Sequence, residues 1–237
     1  MQHTDLPLYT IKSSKRARRL ALRLDPLERI FYLTVPLRCP LERAYEFADT
    51  HEEWMKKALS ELPSPQPFSH GAVLPVLGHN ITLNITHDPT VKITSIKENE
   101  STLYVTSNLE DPGIRIERFL KKKAKEILYK KSKEKSVTIN KKIENVSVRD
   151  TKSRWGSCSS DKNLSYSWRL IFAPPLALDY VVAHEVAHLK HLDHSAKFWA
   201  LCRSLSENFV EGQFWMQNHG HELMRYGSAK RSMPLQE

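Results

Sequence analysis

Along the chain the apolar positions change their period several times. Residues 8–35 alternate and are β-rich; Phe31-Tyr32-Leu33-Thr34-Val35 is the clearest strand, stopped by Pro36. Leu41, Ala44, Tyr45, Ala48, Met55, Ala58 and Leu59 then recur at helical spacing, with Trp54 beside the stripe. That helix ends before the Pro-rich loop at 60–67. Short strands are predicted over 73–77, 81–85, 91–96 and 102–106, with a turn at Gly78-His79-Asn80. Asp111-Pro112-Gly113 is the strongest boundary signal. It separates a β-rich region with one helix, 1–110, from a second region, 111–237, as two domains or one continuous one. Beyond it Ile116, Phe119, Leu120, Ala124, Ile127 and Leu128 form the apolar face of a basic helix. Val146-Ser147-Val148 reads as a strand and 151–163 as a polar loop. Leu164, Tyr166, Trp168, Leu170 and Phe172 alternate with Ser165, Ser167, Arg169 and Ile171, which predicts one strand over 164–172. Pro174-Pro175 ends it and opens a helix, because Pro is tolerated in a helix's first turn. A β-rich half followed by a mostly helical half gives an α+β fold class.

Composition narrows the classes. With 40% hydrophobic and 27% charged residues the chain matches an ordinary globular protein, which excludes a disordered or collagen-like one. No apolar run approaches the ~18 residues that span a bilayer. Met1-Gln2-His3-Thr4-Asp5 has no basic segment followed by an apolar one. Cys39, Cys158 and Cys202 are odd in number and far apart, so no disulfide framework can be read. The expectation is a cytoplasmic protein without membrane contact. The net charge of +9 is local: residues 11–23 hold Lys12, Lys15, Arg16, Arg18, Arg19 and Arg23 with no acid, and residues 115–135 hold a second excess. Such stretches attract nucleotides or nucleic acid, although a solvated helix face and a basic strand carry the same signature.

The chemistry concentrates in His184-Glu185-Val186-Ala187-His188 on the predicted helix. Two His at i and i+4 share one helical face, so both imidazoles reach one metal ion. Glu185, next to the first, is placed to hold a water without ligating the ion. Leu178, Val182, Val186 and Leu189 form the opposite, anchoring stripe. For the third ligand, His191 and His194 compete. If the helix continues, His191 lies about 10.5 Å along the axis from His184, too far for one ion with Zn–N bonds of ~2.0–2.1 Å. If it stops near Leu192-Asp193, the chain turns and returns His194. The expected site is therefore Zn²⁺ on His184, His188 and His194, with water in the fourth position. His191 is then exposed or touches substrate, and Cys158 as a fourth ligand would make the site structural. Arg154, Trp155, Arg169 and Tyr180 are candidates for substrate contact or oxyanion stabilisation.

These segments resemble the YgjP-like metallopeptidase family, which is zincin-like. The resemblance rests on Arg149-Asp150-Thr151-Lys152-Ser153-Arg154-Trp155-Gly156-Ser157-Cys158-Ser159, on 164–174, on Leu178 through Leu189, and on His194-Ser195 with Phe198-Trp199. It extends loosely upstream through the Arg-rich first strands, the helix with Trp54, and Val76-Leu77-Gly78. Ser167 and Asp193 stand where that family usually has Asn. The resemblance implies a zincin-like catalytic half with a small sheet and an active-site helix, zinc on His184, His188 and His194, and a catalytic Glu185. In a fold of that kind an edge strand beside the active helix receives an extended peptide, and 164–172 is the candidate. The leading function is thus a zinc-dependent peptidase acting on a peptide or protein. Its competitors are a metal-dependent nucleotide or phosphoanhydride hydrolase and a non-enzymatic anion-binding module with a structural metal.

Overall fold

A computed structural model describes residues 9–227; the Met1–Asp5 terminus lies outside them. The chain forms two compact units, one ending at Ser64 and the other beginning at Pro65, and the architecture is α+β. Asp111-Pro112-Gly113 falls inside the second unit, where Pro112 caps a helix and one apolar core runs on both sides of it. The division lies instead at the Pro-rich loop. No helix among the described residues is long and apolar enough to cross a membrane.

In the first unit, β1 (Tyr9–Ser14), β2 (Ala21–Asp25) and β3 (Ile30–Pro36) make a sheet of order β1-β3-β2, with β1 parallel and β2 antiparallel to β3. The strict alternation of β3 buries Phe31, Leu33 and Val35, and Leu33 and Val35 pack with Ala44 and Ala48. The helix expected over 41–59 is two: α1 (Leu41–Thr50) and α2 (Glu52–Ser60). The break is His51, whose Nδ1 donates to the Phe47 carbonyl at 2.8 Å while its own N–H turns to Ala48. The side chain thus satisfies a carbonyl that an unbroken helix would give to the backbone.

The second unit has β4 (Val73–Val76), β5 (His79–His87), β6 (Ser95–Glu98) and β7 (Thr102–Ser107) in the order β4-β5-β7-β6. Leu77 and Gly78, both at positive φ, form the two-residue hairpin turn one position earlier than expected. Gly78 also lies against the site helix, where a Cβ would stand 2.8 Å from Pro175 Cδ. The strand expected over 91–96 is delayed to β6, because Asp88 Oδ1 accepts the Thr90 N–H and holds the preceding segment in a turn. Helix α3 (Gly113–Thr138) buries Ile116, Leu120, Ala124 and Leu128, continued by Ser132 and Ser136. Ser132 Oγ meets the buried Tyr166 hydroxyl at 2.9 Å.

A second small sheet, β8-β10-β9, comprises β8 (Asn145–Arg149), β9 (Gly156–Cys158) and β10 (Asn163–Ser167). The strand expected over 164–172 stops at Ser167, and Trp168–Phe172 continues as a 3-10 helix. Its odd and even positions are both buried, so alternation of residue types did not reflect alternation of environment. Helices α4 (Pro175–Ala187), α5 (Ala196–Leu205) and α6 (Phe209–His219) complete the unit.

Candidate metal centre

Helix α4 starts at Pro175 and is buried on most of its surface. Leu178, Val182 and Val186 sit in the core with Leu189 just beyond the helix end, while Tyr180, His184 and His188 form a half-buried stripe at i+4 spacing. The helix ends at Ala187, earlier than the Leu192-Asp193 stop expected from sequence. Three-residue bonds from Leu189 to Val186 and Lys190 to Ala187 close the last turn. The chain then doubles back to His194, just ahead of α5.

This turn brings three rings together. His184 and His188 have centroids 5.0 Å apart, His184 and His194 5.2 Å, and His188 and His194 4.8 Å. One nitrogen from each lies within 4.8 Å of the others, the one such metal-ligating group among the described residues. His184 Nε2 and His194 Nε2 are 3.2 Å apart. His188 Nδ1 donates to the His191 carbonyl at 3.0 Å, which leaves Nε2 as the free lone pair. His191 thus serves through its backbone, and its side chain is half-buried. Beneath all three rings lies Phe198, fully buried, with centroids 4.5–4.9 Å away. The signal for Phe198 in the sequence is its i+4 step from His194 into the first turn of α5.

Electrostatics prepare the cluster for a cation. Burial, followed by the neighbouring His188 and His194, pushes His184 down to about 4. Burial also lowers His188, opposed by its bond to His191. Both shifts favour the neutral form that a metal ligand must have. Glu185, 6% exposed, is pushed up to about 8 by burial, with the Arg154 charge opposing. Its carboxylate lies directly under β9: a Cβ at Gly156 would stand 2.5 Å from Glu185 Cγ. Asp193 accepts the Ser195 N–H at 3.3 Å.

The other candidates separate. Arg154 is exposed and close enough for its charge to act on Glu185. Trp155 turns its indole toward Gly220 and Met216. Tyr180 packs edge-on against Phe209 at 5.3 Å, with His184 at 6.1 Å. Arg169 corrects the expectation of a substrate contact. It is 2% exposed, its Nε donates to Asp150 at 2.8 Å, and its Nη1 donates to the Tyr226 carbonyl. With its fork occupied, it anchors the loop that carries Arg154 rather than facing substrate. Cys158 stands outside the three-His group, and burial plus the Glu185 charge push its thiol up to about 11.

The family model described as YgjP-like, metallopeptidase domain, matches residues 18–219. The chain belongs to that family. No curated protein and no solved structure matches it. As a member of the YgjP-like metallopeptidases it is a metal-dependent, peptidase-type hydrolase, and the match covers β2 and β3 of the first unit as well as the histidine cluster, while β1 lies before it.

Proposed function

We propose that the chain is a zinc-dependent peptidase in which His184, His188 and His194 hold the ion and Glu185 is the general base. The observation that carries this reading is the convergence of three imidazoles beside one buried glutamate. The donor set fits zinc. With Zn–N bonds of ~2.0–2.1 Å, two ligands of a tetrahedral ion stand about 3.3 Å apart, and the two Nε2 atoms here are separated by 3.2 Å. Three nitrogens without a thiolate are the donor count of a catalytic rather than a closed structural site. When bound, zinc supplies Lewis-acid chemistry, lowering the pKa of a water and polarising a carbonyl.

A cation held by the three imidazoles would favour the ionised form of Glu185, which accepts the proton of the attacking water and delivers it to the leaving amine. Its burial excludes bulk water, so the proton is kept for the leaving group. Arg154 is the cation placed to stabilise the developing oxyanion. The expected substrate strand cannot lie along 164–172, because β10 is the central strand and is paired on both sides. β9 pairs with β10 alone among the described residues and lies over Glu185, so an extended peptide adds along β9. A panel of casein, peptides and nucleoside triphosphates, each with and without chelator and coupled to metal analysis, tests the proposal. Chelator-sensitive cleavage of casein or peptides supports it. Hydrolysis confined to triphosphates moves the site to phosphoanhydride chemistry. Chelator-induced unfolding with no hydrolysis marks a structural metal.

A further inference from the structure

The first unit has a face that the histidine cluster does not use. Leu33 and Val35 point from β3 toward α1, so Tyr32 and Thr34, which alternate with them, point the other way. The register sets Thr10, Tyr32 and Arg23 in one row across β1, β3 and β2, and Lys12, Thr34 and Ala21 in the next. Thr10, Lys12, Ala21 and Arg23 are exposed, and Tyr32 and Thr34 are partly so. The loop from β1 to β2 crosses the end of β3 and adds Lys15, Arg16, Arg18 and Arg19, all exposed. Its start is ordered by Ser14 Oγ, which accepts the N–H groups of Arg16 and Ala17 at 3.3 and 3.2 Å.

None of Lys12, Lys15, Arg16, Arg18, Arg19 and Arg23 has an ion-pair partner among the described residues. The second basic stretch is partly neutralised: on α3, Lys121, Lys123, Lys131 and Lys135 are paired with Glu117, Glu98 and Asp179. The nearby Glu28 carboxylate is held by the Tyr32 hydroxyl at 2.8 Å. The Lys12 ammonium stands 3.4 Å from the Tyr32 ring centroid, over the ring face.

We propose that this sheet face binds single-stranded nucleic acid, with Tyr32 stacking one base and the six cations following the phosphates. Six exposed cations without an ion pair among the described residues call for a polyanion. The aromatic ring on an open sheet calls for an unstacked base, because every base offers a π face. Lys12 now covers the ring; on binding, the base takes its place and the ammonium moves to a phosphate. A duplex keeps its bases stacked and gives Tyr32 no role. A membrane surface is a poorer match, because Tyr32 is the single large apolar side chain in these two rows.

Fluorescence anisotropy of labelled dT20 and of a 20-base-pair duplex with the full chain tests this. The single strand is expected to bind more tightly than the duplex. If four to six phosphates are neutralised, affinity falls by roughly 50–400-fold between 50 and 200 mM salt. Arg18→Glu/Arg23→Glu should weaken dT20 at least about tenfold at low salt. Tyr32→Ala should weaken it about tenfold at every salt concentration, while Tyr32→Phe keeps it. Lys122→Glu/Lys125→Glu on α3 should leave it within about twofold. Only variants that melt at the wild-type temperature are compared, so that unfolding is not read as lost binding. No binding at 50 mM salt, equal affinity for duplex with no effect of Tyr32→Ala, or full displacement of dT20 by equimolar polyglutamate would overturn the proposal.

Discussion

Gly156→Ala probes how closely β9 is fitted to the proposed base. A Cβ at this position would lie 2.5 Å from Glu185 Cγ, 2.6 Å from Oε1 and 2.7 Å from Cδ. Ordinary carbon contacts are about 3.5–4.0 Å, so strand and carboxylate must separate by about 1 Å. Glu185 is 6% exposed and cannot relieve the overlap by swinging into solvent. Overpacking of this kind costs about 1–3 kcal/mol of stability. Misplacing a reacting group by 1 Å costs about 100-fold in rate. The three atoms nearest the added carbon all belong to Glu185, so zinc stoichiometry is expected to hold. The assay is kcat for casein cleavage on folded protein with one zinc per chain confirmed for wild type and variant. A fall of about 100-fold with zinc retained is the expected result. Wild-type kcat in a folded, fully loaded Gly156→Ala protein would refute the fit between β9 and the base.

Other perturbations follow from the same geometry. His194→Ala should lose zinc affinity by more than the roughly 10–100-fold that removal of a ligand's hydrogen-bond partner costs; His191→Ala keeps the carbonyl that holds His188 and should stay near stoichiometric in a competition titration with a chelator. Asp150→Ala strands the buried Arg169 guanidinium, so urea unfolding should show a loss of about 3–5 kcal/mol while zinc still binds. The metal-free protein should also respond to pH. His184, lowered to about 4, binds its proton more readily when unfolded and favours folding less as pH falls below its ordinary 6.5. Glu185, raised to about 8 from 4.5, holds its proton more tightly when folded, so its contribution is lost as pH rises through that window. The two oppose each other below 6.5; from pH 6.5 to 8 the Glu185 effect stands alone and should lower stability by up to about 2 kcal/mol. Urea midpoints of metal-free wild type and Glu185→Gln at both pH values check this, and an equal slope in both proteins would remove Glu185 as the cause.

The ligand set expected from sequence is the one whose rings converge, because i and i+4 on a helix is a local constraint that spacing reads directly. The helix end was not legible: three-residue bonds close it at Ala187, and nothing in Leu189-Lys190-His191 announces them. The strand over 164–172 was misread because burial on both sides erases the two-residue period, leaving residue types that alternate without an environment that does. Arg169 was assigned by its charge alone, while its partners, Asp150 and the Tyr226 carbonyl, lie 19 and 57 residues away. β9 went unseen inside a polar loop, since a three-residue strand carries no periodicity. Its contact with Glu185 depends on the fold of the whole second unit.

The most direct test of the account is Glu185→Gln, with zinc content and casein cleavage measured on the same sample. Gln keeps the size and the hydrogen-bonding reach of the side chain but cannot accept a proton at neutral pH. Wild type is expected to carry one zinc per chain and to cleave in a chelator-sensitive way. The variant is expected to carry the same zinc, to melt no lower than wild type, and to lose at least about 100-fold in kcat. Near-normal turnover in the fully metallated variant, or wild-type protein that cleaves at full rate after its zinc is removed, would contradict the account.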